Sequence, residues 1–165
     1  MLKQHFSCPP TGWNSYDCYN TGVTEAEVLA NARWMKEHLA DCGWEYVVVD
    51  IQWYAADSDS MEPEIQYIPF GKHAIDAYGR FLPDPVKFPS SVNGAGFKPL
   101  ADAIHTMGFK FGIHIMRGIP REAAHNHMPV LGATKTADLV ADPAHICRWN
   151  PDMYGVRPGP DGQAY

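Results

Sequence analysis

With 165 residues and a hydrophobic content of 45%, the chain carries enough apolar side chains for one sizeable core, which excludes a disordered protein. A formal net charge of −6, with no block of Lys and Arg, excludes nucleic acid and anionic membrane surfaces as natural partners and leaves neutral or weakly charged small molecules. Cys8, Cys18, Cys42 and Cys147 form no C-x-x-C pair and are too sparse for a disulfide framework, and the opening MLKQHFS has no apolar leader pattern, so reduced thiols and a cytoplasmic location are expected.

The first predicted element is a short strand within Thr11 to Tyr16, ending near Trp13 and Asn14. Thr24-Glu25-Ala26-Glu27 is a capping box and opens a helix whose apolar face is Val28, Leu29, Ala32, Met35 and Leu39, with Gly43 as its stop. Tyr46 to Val49 follows as a short β-branched run, the pattern of a strand buried on both faces in a parallel sheet, and it ends at Asp50. From Ile51 to Gly96 no helical period survives. Pro63, Pro69, Pro83, Pro85 and Pro89 punctuate that stretch, and its aromatic rings predict a long ordered loop of functional type.

Pro99 suits the first turn of a second helix with Leu100, Ala103, Ile104 and Met107 as its stripe and Gly108 as its stop. Phe109 to Met116 is predicted as the next strand. Two strand–helix–strand units in succession predict an α/β fold with a parallel sheet, either open or closed into a barrel. Ile119 to Leu131 reads as irregular and Thr134 to Val140 as a short helix. Beyond Asp142-Pro143 the sequence is turn chemistry, with no further strand predicted.

A carboxylate followed by Gln52, Trp53 and Tyr54 at the C-terminal end of a buried strand suits a sugar site, with an acceptor for hydroxyls and flat rings for a pyranose face. The competing reading makes Asp50 a cap of the next turn and the aromatics core. His125-Asn-His127, with His114 and Asp50, raises a metal-dependent hydrolase as a further alternative, but proline brackets the pair in loop-like sequence and no metal is expected. No G-x-S-x-G, phosphate-binding loop or dinucleotide fingerprint is present, so no cofactor is expected.

The segments PPTGWNSYDCY, GWEYVVVDIQWY, YGRFLPDPVKFPS, GFKPLADAIHTMGFKFGIHIMRGIP and WNPDMYGV together resemble the N-terminal part of the α-galactosidase (melibiase) family, glycoside hydrolase family 27. Within it the chain is most similar to bacterial α-galactosidase and α-N-acetylgalactosaminidase members. The resemblance implies that residues 1–165 are a partial catalytic domain, about strands one to three of a (β/α)₈ barrel, in a retaining α-glycosidase acting on α-galactosides or related sugars.

It further implies that Trp13 lines the sugar subsite and that Asp50 binds sugar hydroxyls. Gln52, Trp53 and His114, at the matched strand ends, join the candidate substrate-binding set. Arg117 joins it on its own chemistry, since it departs from the family pattern: beside a strand end it could bind a carboxylate or neutralise Asp50, and the competing reading is a surface salt bridge. Ile51 stands where the family has a second sugar-binding aspartate, and His114 where it has a tyrosine. The nucleophile and acid/base are implied to follow strands four and six, beyond Tyr165, so the chain by itself is expected to be inactive. A short protein that binds sugar without hydrolysing it is the alternative from another class.

Overall fold

The computed structural model describes residues 10–56, 73–147, 150 and 152–159. Three strands, β1 (Gly12–Asn14), β2 (Tyr46–Val49) and β3 (Lys110–Ile113), form an all-parallel sheet in the order β1-β2-β3. Between β1 and β2 lie a single turn, α1 (Tyr16–Tyr19), and the long helix α2 (Glu25–His38). Between β2 and β3 lies α3 (Lys98–Thr106). Because α2 and α3 touch each other as well as the sheet, both cover the same face.

Local sequence accounts for these elements. The Thr24 hydroxyl accepts the Glu27 N–H while the Glu27 carboxylate accepts the Thr24 N–H at 2.8 Å, which completes the predicted box. The helix stops at His38, earlier than Gly43; a single 3₁₀ turn over Ala40–Cys42 intervenes, and Gly43 then takes the left-handed conformation at φ 79°. Pro99 occupies the first turn of α3, and Gly108, at φ 92°, follows its end. Val28, Ala32 and Met35 from α2 and Leu100 and Ile104 from α3 bury against Val47 and Val49 of β2.

Register decides which side chains face the helices. Trp13, Val47 and Phe111 are cross-strand partners, so they share one face, and Val47 is fully buried under α2 and α3. Gly12, Tyr46 and Lys110 occupy the other face. There Gly12 is required: a Cβ would collide with the Tyr46 carbonyl oxygen and Cβ.

Two predictions require correction. The third strand ends at Ile113 instead of Met116, since the last ladder bond runs from His114 N–H to the Val49 carbonyl and β2 supplies no partner beyond it. The closing part of the chain also contains strands. β4 (Ile119–Pro120), β5 (Ala141–Ile146) and β6 (Met153–Val156) form a second, antiparallel sheet in the order β4-β6-β5, accompanied by α4 (Arg121–His125) and α5 (Ala137–Val140). The β5–β6 register slips between Asp142 and Ile146, around Pro143, which erases any period-2 pattern from the sequence.

Of the predicted loop, Pro63, Tyr67, Pro69 and Phe70 lie outside the described residues. Its described remainder folds back on the core. Tyr54 stacks on Phe81 with ring centroids 3.7 Å apart, and the Asp84 N–H donates to the Trp53 carbonyl at 3.0 Å.

Candidate functional site

Asp50 leaves β2 where the ladder ends, and three neighbours fix it. Its N–H donates to Ser15 Oγ at 2.9 Å, Asn14 Nδ2 donates to its Oδ2 at 2.7 Å, and the Ile51 N–H donates to its Oδ1 at 2.7 Å. Asn14 is itself oriented, since its Oδ1 accepts the Tyr16 N–H at 2.8 Å. The carboxylate is thus held by charge-assisted bonds that leave one lone pair on each oxygen for a ligand. Sequence reading did not single out Asn14 and Ser15 as these supports, although both follow the glycine and tryptophan that mark the end of the first strand.

His114 sits at the end of β3 beside Asp50. Its Nδ1 lies 3.9 Å from Asp50 Oδ1, beyond direct hydrogen bonding, and its carbonyl accepts the Trp53 indole N–H at 2.8 Å. Beyond these strand ends opens a cavity of about 1080 Å³. Its near wall is Asp50, Ile51, His114 and the turn through Gly118; Tyr16 also lines it, and its far wall is β5 and β6 with Cys147. The exposed guanidinium of Arg117 lines it without an ion pair or hydrogen bond among the described residues.

On the far wall, His145 Nδ1 and Asp142 Oδ2 are 2.7 Å apart. That contact, with the Ala144 N–H and the nearby charges of His145 and Arg157, holds the Asp142 carboxyl below the usual carboxylate range.

Three predicted substrate contacts are placed elsewhere. Trp53 is only 4% exposed and packs edge-on against Tyr54, Phe81 and Phe97, so its ring offers no free face to a sugar. Gln52 is 1% exposed and does not line the cavity. Trp13 lies on the helix-covered face of the sheet, against Tyr19, for the reason its register gives. The two histidines of the His125-Asn-His127 motif take separate partners, Tyr154 and Asp138, and no cluster of three potential metal ligands occurs among the described residues.

Chemically, the described cavity wall offers one carboxylate acceptor, two imidazoles and a guanidinium around apolar surface. Asp50 is the sole carboxylate among the described lining residues, and glycoside hydrolysis with retention needs a pair roughly 5–5.5 Å apart.

No protein-family model matches the chain. Solved structures do. A Bacillus halodurans protein named as a candidate α-N-acetylgalactosaminidase is 57% identical with a TM-score of 0.81, over 93% of this chain and 35% of that one. A glycoside hydrolase family 27 β-L-arabinopyranosidase from Geobacillus stearothermophilus is 52% identical with a TM-score of 0.80, over 90% of this chain and 33% of that one.

The chain belongs to glycoside hydrolase family 27.

Among curated family relatives, the α-galactosidase mel1 of Schizosaccharomyces pombe is 37% identical over 112 residues, 67% of this chain. The chain spans about a fifth of that relative (21%) and about a third of the family 27 structures it matches (35% and 33%).

Proposed function

We propose that β1, β2 and β3 are the first three strands of a family 27 (β/α)₈ barrel and that this chain supplies one wall of its sugar site. The observation that carries the reading is Asp50: a carboxylate at the C-terminal end of a parallel strand, braced by Asn14 and the Ile51 N–H, facing a large cavity. In this reading Asp50 accepts hydrogen bonds from sugar hydroxyls. The nucleophile and acid/base belong to the strands that follow in the family barrel, so hydrolysis is an activity of the whole enzyme.

The substrate we propose is an α-galactoside or the closely related β-L-arabinopyranoside. The two rings share their hydroxyl configuration and differ in the C5 hydroxymethyl group of galactose. Ile51, buried beside Asp50 on the cavity wall, cannot accept a hydrogen bond from that extra hydroxyl, which removes a reason to favour galactose. The named activity of the Geobacillus relative supports the same direction.

The test uses the full-length protein with aryl α-D-galactopyranoside and aryl β-L-arabinopyranoside. The arabinoside should be used at least as well as the galactoside; a preference for galactoside by several orders of magnitude would contradict the assignment of Ile51. Asp50→Ala should lower kcat/KM by about 10- to 200-fold, corresponding to roughly 1–3 kcal/mol of lost buried contact. An unchanged kcat/KM would remove Asp50 from the site.

A further inference from the structure

Behind the turn that carries Asp50 and Ile51 lies a buried cation. Lys87 is 5% exposed, and its ammonium donates to the Thr21 carbonyl at 2.8 Å and to the Gln52 carbonyl at 3.2 Å. Its backbone is engaged as well, because its carbonyl accepts the N–H of Glu25, the first residue of α2, at 2.8 Å. Lys87 therefore ties the turn after β2 to the segment leading into α2.

Gln52 needs such a tie. It adopts φ 69°, a left-handed conformation that is unfavourable for any residue with a Cβ. Its side chain gives no reason for this, since Nε2 is buried and has no hydrogen-bond partner among the described residues. Its carbonyl does: in this conformation it accepts both the Ala55 N–H at 3.1 Å and the Lys87 ammonium. The reversal at Gln52 also divides the run. Ile51 faces the cavity, while Trp53 and Tyr54 enter the core.

We propose that Lys87 is a positioning residue for the sugar site, whose ammonium holds the Gln52 carbonyl, keeps the turn left-handed at that residue, and so sets Asp50 and Ile51 against the cavity. The role in binding rests on the sugar-site reading of Asp50. The role in the turn does not, and the two can be measured separately.

In the full-length protein, Lys87→Met removes the donors while keeping an unbranched apolar stem. The Ile51 amide proton, held by Asp50 Oδ1 at 2.7 Å, should shift upfield and lose exchange protection. Affinity for L-arabinose, measured by calorimetry at a temperature where the variant is folded, should fall about tenfold or more, the scale of one lost hydrogen bond to a charged group. Gln52→Gly added to Lys87→Met should restore most of that affinity, because glycine holds a left-handed φ without a clamp.

A lysine with a merely structural role would lower Tm in the single variant and leave the affinity of the folded protein and the Ile51 signal unmoved; that result overturns the proposal, as does a double variant without recovery. If Lys87→Met does not fold, Lys87→Arg keeps a donor at a different reach and should show the same changes in smaller degree, whereas wild-type values there would overturn the proposal. Failure of the wild-type protein to bind either L-arabinose or D-galactose would remove the sugar reading, and the Ile51 amide would still decide the turn.

Discussion

Asp50 and Ile51 are adjacent in sequence and do opposite things. The carboxylate is a fixed acceptor whose two oxygens are already aimed by Asn14 and by the next peptide N–H, so little side-chain freedom remains to be lost when a hydroxyl binds. The isoleucine shapes the wall and accepts nothing. Restoring an acceptor with Ile51→Asp should therefore raise the ratio of α-galactoside to β-L-arabinopyranoside turnover in the full-length protein, with aryl glycosides as the assay. A ratio that stays the same or falls would show that the C5 substituent is read elsewhere. The site's other strand-end polar group, His114, is anchored through its backbone, between the Val49 carbonyl and the Trp53 indole, while its imidazole lines the cavity with Nδ1 3.9 Å from Asp50 Oδ1.

At the scale of elements, α2 depends on its start. Thr24 and Glu27 satisfy each other's backbone N–H groups in the first turn. Thr24→Ala should lower stability by about 1 kcal/mol, read as a change in the denaturant midpoint at constant slope. An unchanged midpoint would mean the cap is replaced by solvent at no cost. β5 carries a different device. Asp142 is held below the ordinary carboxylate range first by the His145 hydrogen bond, then by the Ala144 N–H and nearby positive charge.

A carboxyl depressed in the folded state stabilises the fold above its unfolded pKa, about 3.9, and loses that contribution as pH falls through its lower folded value. NMR titration of the Asp142 carboxyl should give a midpoint below that of an ordinary aspartate, and His145→Ala should move it upward. A normal midpoint in the unaltered protein would break the link between this pair and the placement of β5.

For the molecule as a whole, the described parallel sheet has three strands with two open edges, one along β1 and one along β3. Ile113 and Ile115, at and just past the β3 edge, are exposed. Unpaired backbone next to exposed aliphatic side chains promotes association. The 165-residue chain expressed alone should therefore sediment as oligomers or aggregates and should not hydrolyse aryl α-galactosides. A compact monomer with cooperative unfolding, or turnover near that of a full-length relative, would show that the fold is complete without further strands.

The sequence by itself determined the parallel strand–helix–strand frame, the capping box of α2, the glycine stops and Asp50 at a strand end. Each of these is written in local chemistry: a β-branched run, a Thr-x-x-Glu spacing, a glycine before a strand. Tertiary structure alone decided which aromatics are available to a ligand. Trp13 and Trp53 have the composition of a sugar platform, yet strand register turns one toward the helices and the reversal at Gln52 turns the other into the core. It also decided the second sheet, because β4, β5 and β6 pair across long separations with a slipped register that leaves no periodic trace in the residues. The far wall of the cavity belongs to that sheet. Local patterns name the groups that can bind, and only the packing of distant segments selects those that face the ligand.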